Sequence, residues 1–258
     1  MYKKVLRYIA VFALLLFVVE TAFASGGRRN GTAGAQELLI PVSARGLALS
    51  GAYVAGVEGL DAIYYNPAGV SVSENSADAM FSYMNYIADI GFSFAAVAAH
   101  MEGFGTLGLS VRTFDFGDIP VTTETNPYGT GATFSPTYVT TGITYSNALT
   151  DRIRVGTNIN LVSETIMNTS ASGVSFDAGI QYQNLGNVQG LKIGIAVKNL
   201  GPQMAFEGSD LLRKASENED ASKRGTQFYQ INASSFELPS QLKFGVAYER
   251  QFADDYKA

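Results

Sequence analysis

Residues 153–161 read Ile153-Arg154-Val155-Gly156-Thr157-Asn158-Ile159-Asn160-Leu161. Ile153, Val155, Thr157, Ile159 and Leu161 carry branched side chains, whereas Arg152, Arg154, Gly156, Asn158 and Asn160 are polar or bare. A period of two sends the two sets to opposite faces of a β-strand. The same alternation runs outward in both directions. Leu107, Leu109, Val111 and Thr113 oppose Gly108, Ser110 and Arg112; Val139, Thr141, Ile143 and Tyr145 oppose Thr140, Gly142, Thr144 and Ser146. Val174, Phe176, Ala178, Ile180 and Tyr182 oppose Ser175, Asp177, Gly179, Gln181 and Gln183. Leu191, Ile193, Ile195 and Val197 oppose Lys192, Gly194, Ala196 and Lys198; Leu242, Phe244, Val246 and Tyr248 oppose Lys243, Gly245, Ala247 and Glu249. Two less regular strands are expected near 79–87 and 91–101. Strands of roughly 9–13 residues are longer than the 5–6 usual in soluble sheets and match the 9–11 needed to cross a bilayer. Lipid leaves backbone N–H and C=O groups unsatisfied, so a spanning sheet must close on itself. The expected fold is therefore all-β: an antiparallel transmembrane β-barrel of about eight strands, apolar toward lipid and polar toward the lumen. A soluble secreted β-sandwich is the competing fold.

The connections point the same way. Long ones are expected at 115–135, 165–172 and 202–237, and a short one at 87–90. Glu102-Gly103, Ala148–Asp151 and Leu185–Gly190 are tight turns. This alternation suits an outer-membrane barrel with short periplasmic turns and longer outer loops. At the N-terminus, Lys3, Lys4 and Arg7 precede the apolar run Tyr8–Val19, and Ala22-Phe23-Ala24 ends it. That pattern marks residues 1–24 as a cleaved signal peptide, with cleavage after Ala24. The run is too short for a spanning helix. Export to the outer membrane of a diderm bacterium follows, with outer-membrane lipid as the surrounding partner.

Chemistry is sparsely represented. There are no cysteines and one histidine, which argues against thiolate or histidine metal sites and a catalytic triad. A net charge of −5 gives no footprint for nucleic acid. No Gly-x-Ser-x-Gly elbow is present. Gly103-Phe104-Gly105-Thr106-Leu107-Gly108 matches a dinucleotide fingerprint, but it opens an alternating strand where that fingerprint requires a helix. His100 reads as a membrane-interface residue. Asn30, Asn168 and Asn232 head chance glycosylation sequons. The protein is read as no enzyme, with no cofactor and no metal.

Two features stand out as candidate sites. Arg112, Arg152, Arg154, Lys192, Lys198 and Lys243 fall on the lumen side of the alternation, against only Asp177 and Glu249. They make either an anion-friendly lumen or docking surface for a plug, or wall residues that are solvated or paired with one another. Residues 25–77 are unlike the rest: residues 35–77 are rich in Ala and Gly, with helical character at 43–56 and a turn at Tyr64-Tyr65-Asn66-Pro67-Ala68-Gly69. In that turn Pro67 should hold Asn66 extended, and Gly69 should take positive φ or admit a close backbone approach. Such a stretch needs burial, and the barrel interior is the nearest place. A plug-like segment at 25–77 and barrel strands at 78–258 are therefore expected; a periplasmic subdomain or mobile leader is the alternative for the first.

The stretch Ser43-Ala44-Arg45-Gly46-Leu47-Ala48-Leu49-Ser50-Gly51-Ala52-Tyr53-Val54-Ala55 and the Asn66-Pro67-Ala68-Gly69 turn resemble the N-terminal signature of PorV/PorQ-type proteins, which are FadL-like outer-membrane barrels. Gly117–Thr123 and Tyr145–Asp151 are similar to that family's barrel segments. The resemblance implies an N-terminal plug. It also implies either a secretion-associated (type IX-like) or scaffold role with secretion-system proteins or secreted cargo as partners, or a channel for a hydrophobic ligand such as a fatty acid. Barrels of that group have roughly fourteen strands, so the chain reads as part of a larger barrel, incomplete at its C-terminus. A complete eight-stranded barrel, the alternative, is too narrow to hold such a plug.

Overall fold

The computed structural model describes residues 33–73, 75–214, 228–253 and 256–257. The chain divides at Ala33, and the account below concerns the unit Gly34–Ala258. The expected signal peptide and Asn30 lie outside the described residues, as do 215–227 of the last long connection.

Eight long antiparallel strands follow one another in chain order: β1 (Ala77–Asn85), β2 (Gly91–Met101), β3 (Gly105–Asp115), β4 (Thr137–Ala148), β5 (Ile153–Ile166), β6 (Thr169–Gln183), β7 (Leu191–Leu200) and β8 (Gln241–Tyr248). Each pairs with its sequence neighbour, across short turns and across the two long connections after β3 and β7 alike. A ninth, two-residue strand, Glu207–Gly208, adds to the start of β6. Among the described residues β1 pairs only with β2 and β8 only with β7, so the sheet is open between its outer strands.

The two faces are the reverse of those of a soluble sheet. Leu109 and Ile143, paired across β3 and β4, are 56% and 60% exposed. One register row of exposed apolar side chains runs Val97–Leu109–Ile143–Ile159–Phe176 across β2 to β6. The opposite face, with Ser110, Thr140, Thr144, Asn158, Asn160, Ser175 and Asp177, is buried. The N-terminal segment covers it.

That segment consists of short pieces: α1 (Ala44–Ala48), α2 (Ala62–Tyr65) and 3-10 turns at Gln36–Leu39, Gly59–Asp61 and Pro67–Ser71. The helix at 43–56 is shorter than the sequence suggests, because Ser50 and Gly51 adopt positive φ and end it. Val42, Val57, Ile63, Tyr65 and Val70 pack against Phe92, Phe94, Ala96 and Phe114 of β2 and β3.

Two connections differ from expectation. The stretch 165–172 is no loop: β5 and β6 extend through it and turn on Met167-Asn168 alone, with Met167 at φ 53. Ser163 and Thr165, paired with Ser172 and Ser170, obscure the end of the apolar alternation there. The ends of the 202–237 connection also fold back. Met204 and Phe236 form a bridge, and with Leu238 they pack on Leu38 and Val162. Gly103-Phe104-Gly105 is the β2–β3 turn, with Gly103 at φ 75, as its strand context requires.

Candidate functional site

The covered face is built to receive a backbone. Gly156 and Gly179 pair directly across β5 and β6, and Gly194 and Gly245 pair across β7 and β8. The chain lies on them. A Cβ on Gly156 would overlap the Pro67 carbonyl, one on Gly179 would overlap Asn66 Oδ1, and one on Gly194 would overlap the Val54 carbonyl. On Gly245 it would stand 3.1 Å from the Ala55 nitrogen. Here the absence of a side chain allows chain and sheet to touch.

Asn66 pins the segment. It is fully buried. Its Nδ2 donates to the Val54 carbonyl at 2.9 Å and to the strand carbonyls of Ile180 at 3.2 Å and Ile195 at 3.5 Å. Its Oδ1 accepts from Ala68 N at 3.2 Å, capping the turn that Pro67 begins. The backbone at Asn66 is extended, φ −163 and ψ 103, as the following proline demands. Gly69 does not take positive φ; it serves close approach, since a Cβ there would overlap the Val57 carbonyl and stand 2.9 Å from Ala62 Cβ. Ala68 is buried, and its carbonyl accepts from Ser146 Oγ at 3.0 Å. Gln181 Nε2 donates to the Val57 carbonyl at 2.9 Å.

The six basic residues separate into groups. Arg112 and Lys198 are buried around Asp177, lining a cavity of about 10 Å³ with Tyr64, Asn158 and Asn160. That is room for one water at most. Asp177 accepts from Asn158 at 3.2 Å, Asn160 at 3.1 Å and the Asn199 nitrogen at 2.7 Å. Lys198 Nζ lies 3.4 Å from the Tyr64 ring centroid, and Lys243 flanks it. Tyr64 donates to the Leu39 carbonyl at 2.6 Å, and burial holds its phenol well above the usual range. At the end of the sheet where β5, β7 and β8 meet the turns, Lys192 pairs with Glu58 at 3.0 Å and Glu249 at 2.9 Å, while Arg154 lies 3.8 Å from Glu58. Glu58 belongs to the N-terminal segment, so Arg154 and Lys192 dock that segment on the sheet, and of these pairs only that of Lys192 with Glu249 lies within the wall. Arg152 departs from the expected face. It precedes β5 in the turn and is exposed, because the strand parity that orients Arg154 begins only at Ile153.

The opposite end holds a cavity of about 660 Å³ lined by Leu39, Ile40, Tyr86, Ile90, Phe114, Phe116 and Tyr138, with Glu37 and Glu164 among the walls. The two carboxyl groups face each other within hydrogen-bond reach, and burial raises the Glu37 carboxyl above its usual range. Glu37 Oε1 and Glu164 Oε1 are buried with no hydrogen-bond partner among the described residues.

Glu37, Glu58, Glu164 and Tyr64 are the site residues that sequence reasoning missed. Glu164 fell beside a stretch read as loop, and Glu37 and Glu58 are far in sequence from their partners Glu164, Arg154 and Lys192. The glycine track had a visible signal: Gly108, Gly142, Gly156, Gly179, Gly194 and Gly245 all fall on the polar half of their strands. No known family model matches the chain, and comparison with curated proteins finds no match.

Proposed function

We propose that this sheet is wall of an outer-membrane β-barrel and that residues 34–71 are its internal plug. On this reading the protein is non-enzymatic and acts as a secretion-associated or scaffold component, as the PorV/PorQ-like motifs imply. The observation that carries the membrane reading is the inversion of the faces: the apolar half of β3 to β6 and of β8 faces outward, and the polar half is covered. In water such a face would be a large aggregation-prone patch. Against acyl chains it has no such cost, and the covered polar half matches the lumen side of a barrel. The pinning of Asn66 on three carbonyls favours a fixed plug, and with it a scaffold over an open pore.

The test is fractionation of the protein expressed with its leader in a diderm host. It should enter the outer-membrane fraction and run at a heat-dependent position on a gel. Recovery as a soluble periplasmic protein refutes the reading.

A channel or carrier for hydrophobic small molecules is the second reading. The aromatic cavity at one end of the plug favours it, since its volume is typical of small-molecule sites. Purification from native membranes separates the two readings: associated secretion proteins or cargo support the first, a bound small molecule the second.

A further inference from the structure

We propose that the cavity between the Gln36–Leu39 turn and the ends of β3, β4 and β5 binds an amphiphile with an aliphatic body and a primary-amine head, and rejects one with a carboxylate head. The proposal rests on the second reading above and adds to it the identity of the head group.

The walls supply the first half of the argument. Ile40, Ile90, Phe114, Phe116 and Tyr138 surround the space, and its volume of about 660 Å³ holds a chain of a dozen carbons. Phe116 stacks edge-on against Tyr138 at 4.8 Å and tilts against Phe114 at 6.4 Å, so these rings brace one another and keep the cavity open.

The polar groups supply the second half. Glu37 and Glu164 are 8% and 4% exposed, yet each leaves Oε1 without a partner among the described residues. A buried acceptor without a donor is costly, and the cost is removed by a ligand that brings the donor. Two carboxyl groups in contact hold one proton between them, because both cannot ionise side by side. The pair therefore carries one negative charge and two open acceptor atoms. A protonated amine offers three donors and the opposite charge. A carboxylate offers only acceptors and the same charge. Arg112 also faces Glu37, but its guanidinium lines the small polar cavity around Asp177 and contributes nothing to the walls of the large one. Of charged side chains, the large cavity thus presents acid alone.

The experiment uses the full chain in phosphatidylcholine nanodiscs and a dodecylamine bearing a diazirine on its chain. After irradiation, labelled peptides are mapped by mass spectrometry. Dodecylamine, dodecanol and dodecanoate compete. Label should fall on peptides holding Tyr86, Ile90, Phe116 or Tyr138. Dodecylamine should displace it at about tenfold lower concentration than dodecanoate. In the double variant Glu37→Gln/Glu164→Gln that preference should vanish while label remains in the cavity. The wild-type competition alone decides the matter if the double variant fails to fold. Label spread evenly over the bare face, equal competition by amine and carboxylate, or an unchanged preference in the double variant overturns the proposal. A chain that does not enter nanodiscs counts against the membrane reading only; the same competition in maltoside micelles then decides the cavity.

Discussion

Replacing Asn66 tests whether the N-terminal segment is a pinned plug. Asn66→Ala removes the Nδ2 bond to the Val54 carbonyl at 2.9 Å, the longer ones to Ile180 and Ile195, and the Oδ1 bond to Ala68 N. The Val54 carbonyl keeps a second donor, Gln181 Nε2 at 3.3 Å. The net loss is one good hydrogen bond, about 1 kcal/mol, plus a buried, orphaned Ala68 N–H at about 1–2 kcal/mol. A total of about 2–3 kcal/mol raises local opening of the segment by about 30- to 150-fold. Asn66→Asp is isosteric and should be worse. It brings an acceptor where three carbonyl oxygens need a donor, and it must either carry a buried charge or take up a proton. Hydrogen exchange of the membrane-inserted protein reads this directly. Protection of residues 60–71 should fall in the order wild type, Ala, Asp, while protection of β3 to β5 stays. Equal protection in wild type and Asn66→Asp would refute the pin. Loss across the whole sheet would show that Asn66 stabilises the wall and not the segment.

Leu109→Arg separates a membrane wall from a soluble sheet. Leu109 is half-exposed in the middle of the bare row, so in water the change should be nearly neutral, whereas in lipid it should cost about 2–4 kcal/mol and lower the inserted fraction; unchanged insertion at matched expression argues against the wall. Burial raises the Glu37 carboxyl above the usual value of 4.5, so its ionisation opposes the folded segment. Its contribution is fullest below that value and is lost as pH rises through the raised one. Exchange protection at residues 36–40, corrected for the intrinsic rate, should therefore fall as pH rises from below 4.5 through the raised value, and Glu37→Gln should flatten the dependence; protection that rises with pH contradicts it.

Local pattern reveals the strands because a face in one medium and a face in another must differ at every second residue. That difference persists from Val139 to Tyr145 or Leu191 to Val197 without any knowledge of partners. The pattern fails where both faces meet similar surroundings. Ser163, Thr165, Ser170 and Ser172 lie on the sheet's bare side but near its end, where no apolar medium is demanded, and the hairpin there reads as loop. Asn66 was legible as a turn residue through Pro67. Its three carbonyl partners were not, because Ile180 and Ile195 lie 114 and 129 residues away. Alternation put Lys192 and Lys198 on one face, yet their partners, Glu58 for Lys192 and Tyr64 for Lys198, come from a segment whose path has no periodicity to read.

The irregularity of that segment is itself explained by the wall. A chain of short helices and turns leaves many backbone groups without internal partners, and buried ones must find them elsewhere. The polar half of the strands provides them: Gln181 for the Val57 carbonyl, Ser146 for the Ala68 carbonyl and the Ser71 nitrogen. Glycines on the same half let the segment come close enough to use them. A sheet whose polar face met only water would need neither the glycines nor the reach of these side chains. A sheet whose polar face met a conventional helix would find that helix already satisfied along its length. The covered face is thus matched to an irregular backbone, and the segment depends on the formed wall for its conformation. On the proposed membrane reading, the wall's apolar half depends on a medium that water does not provide. Changes on the two halves should therefore act on different steps, insertion for one and docking of the segment for the other.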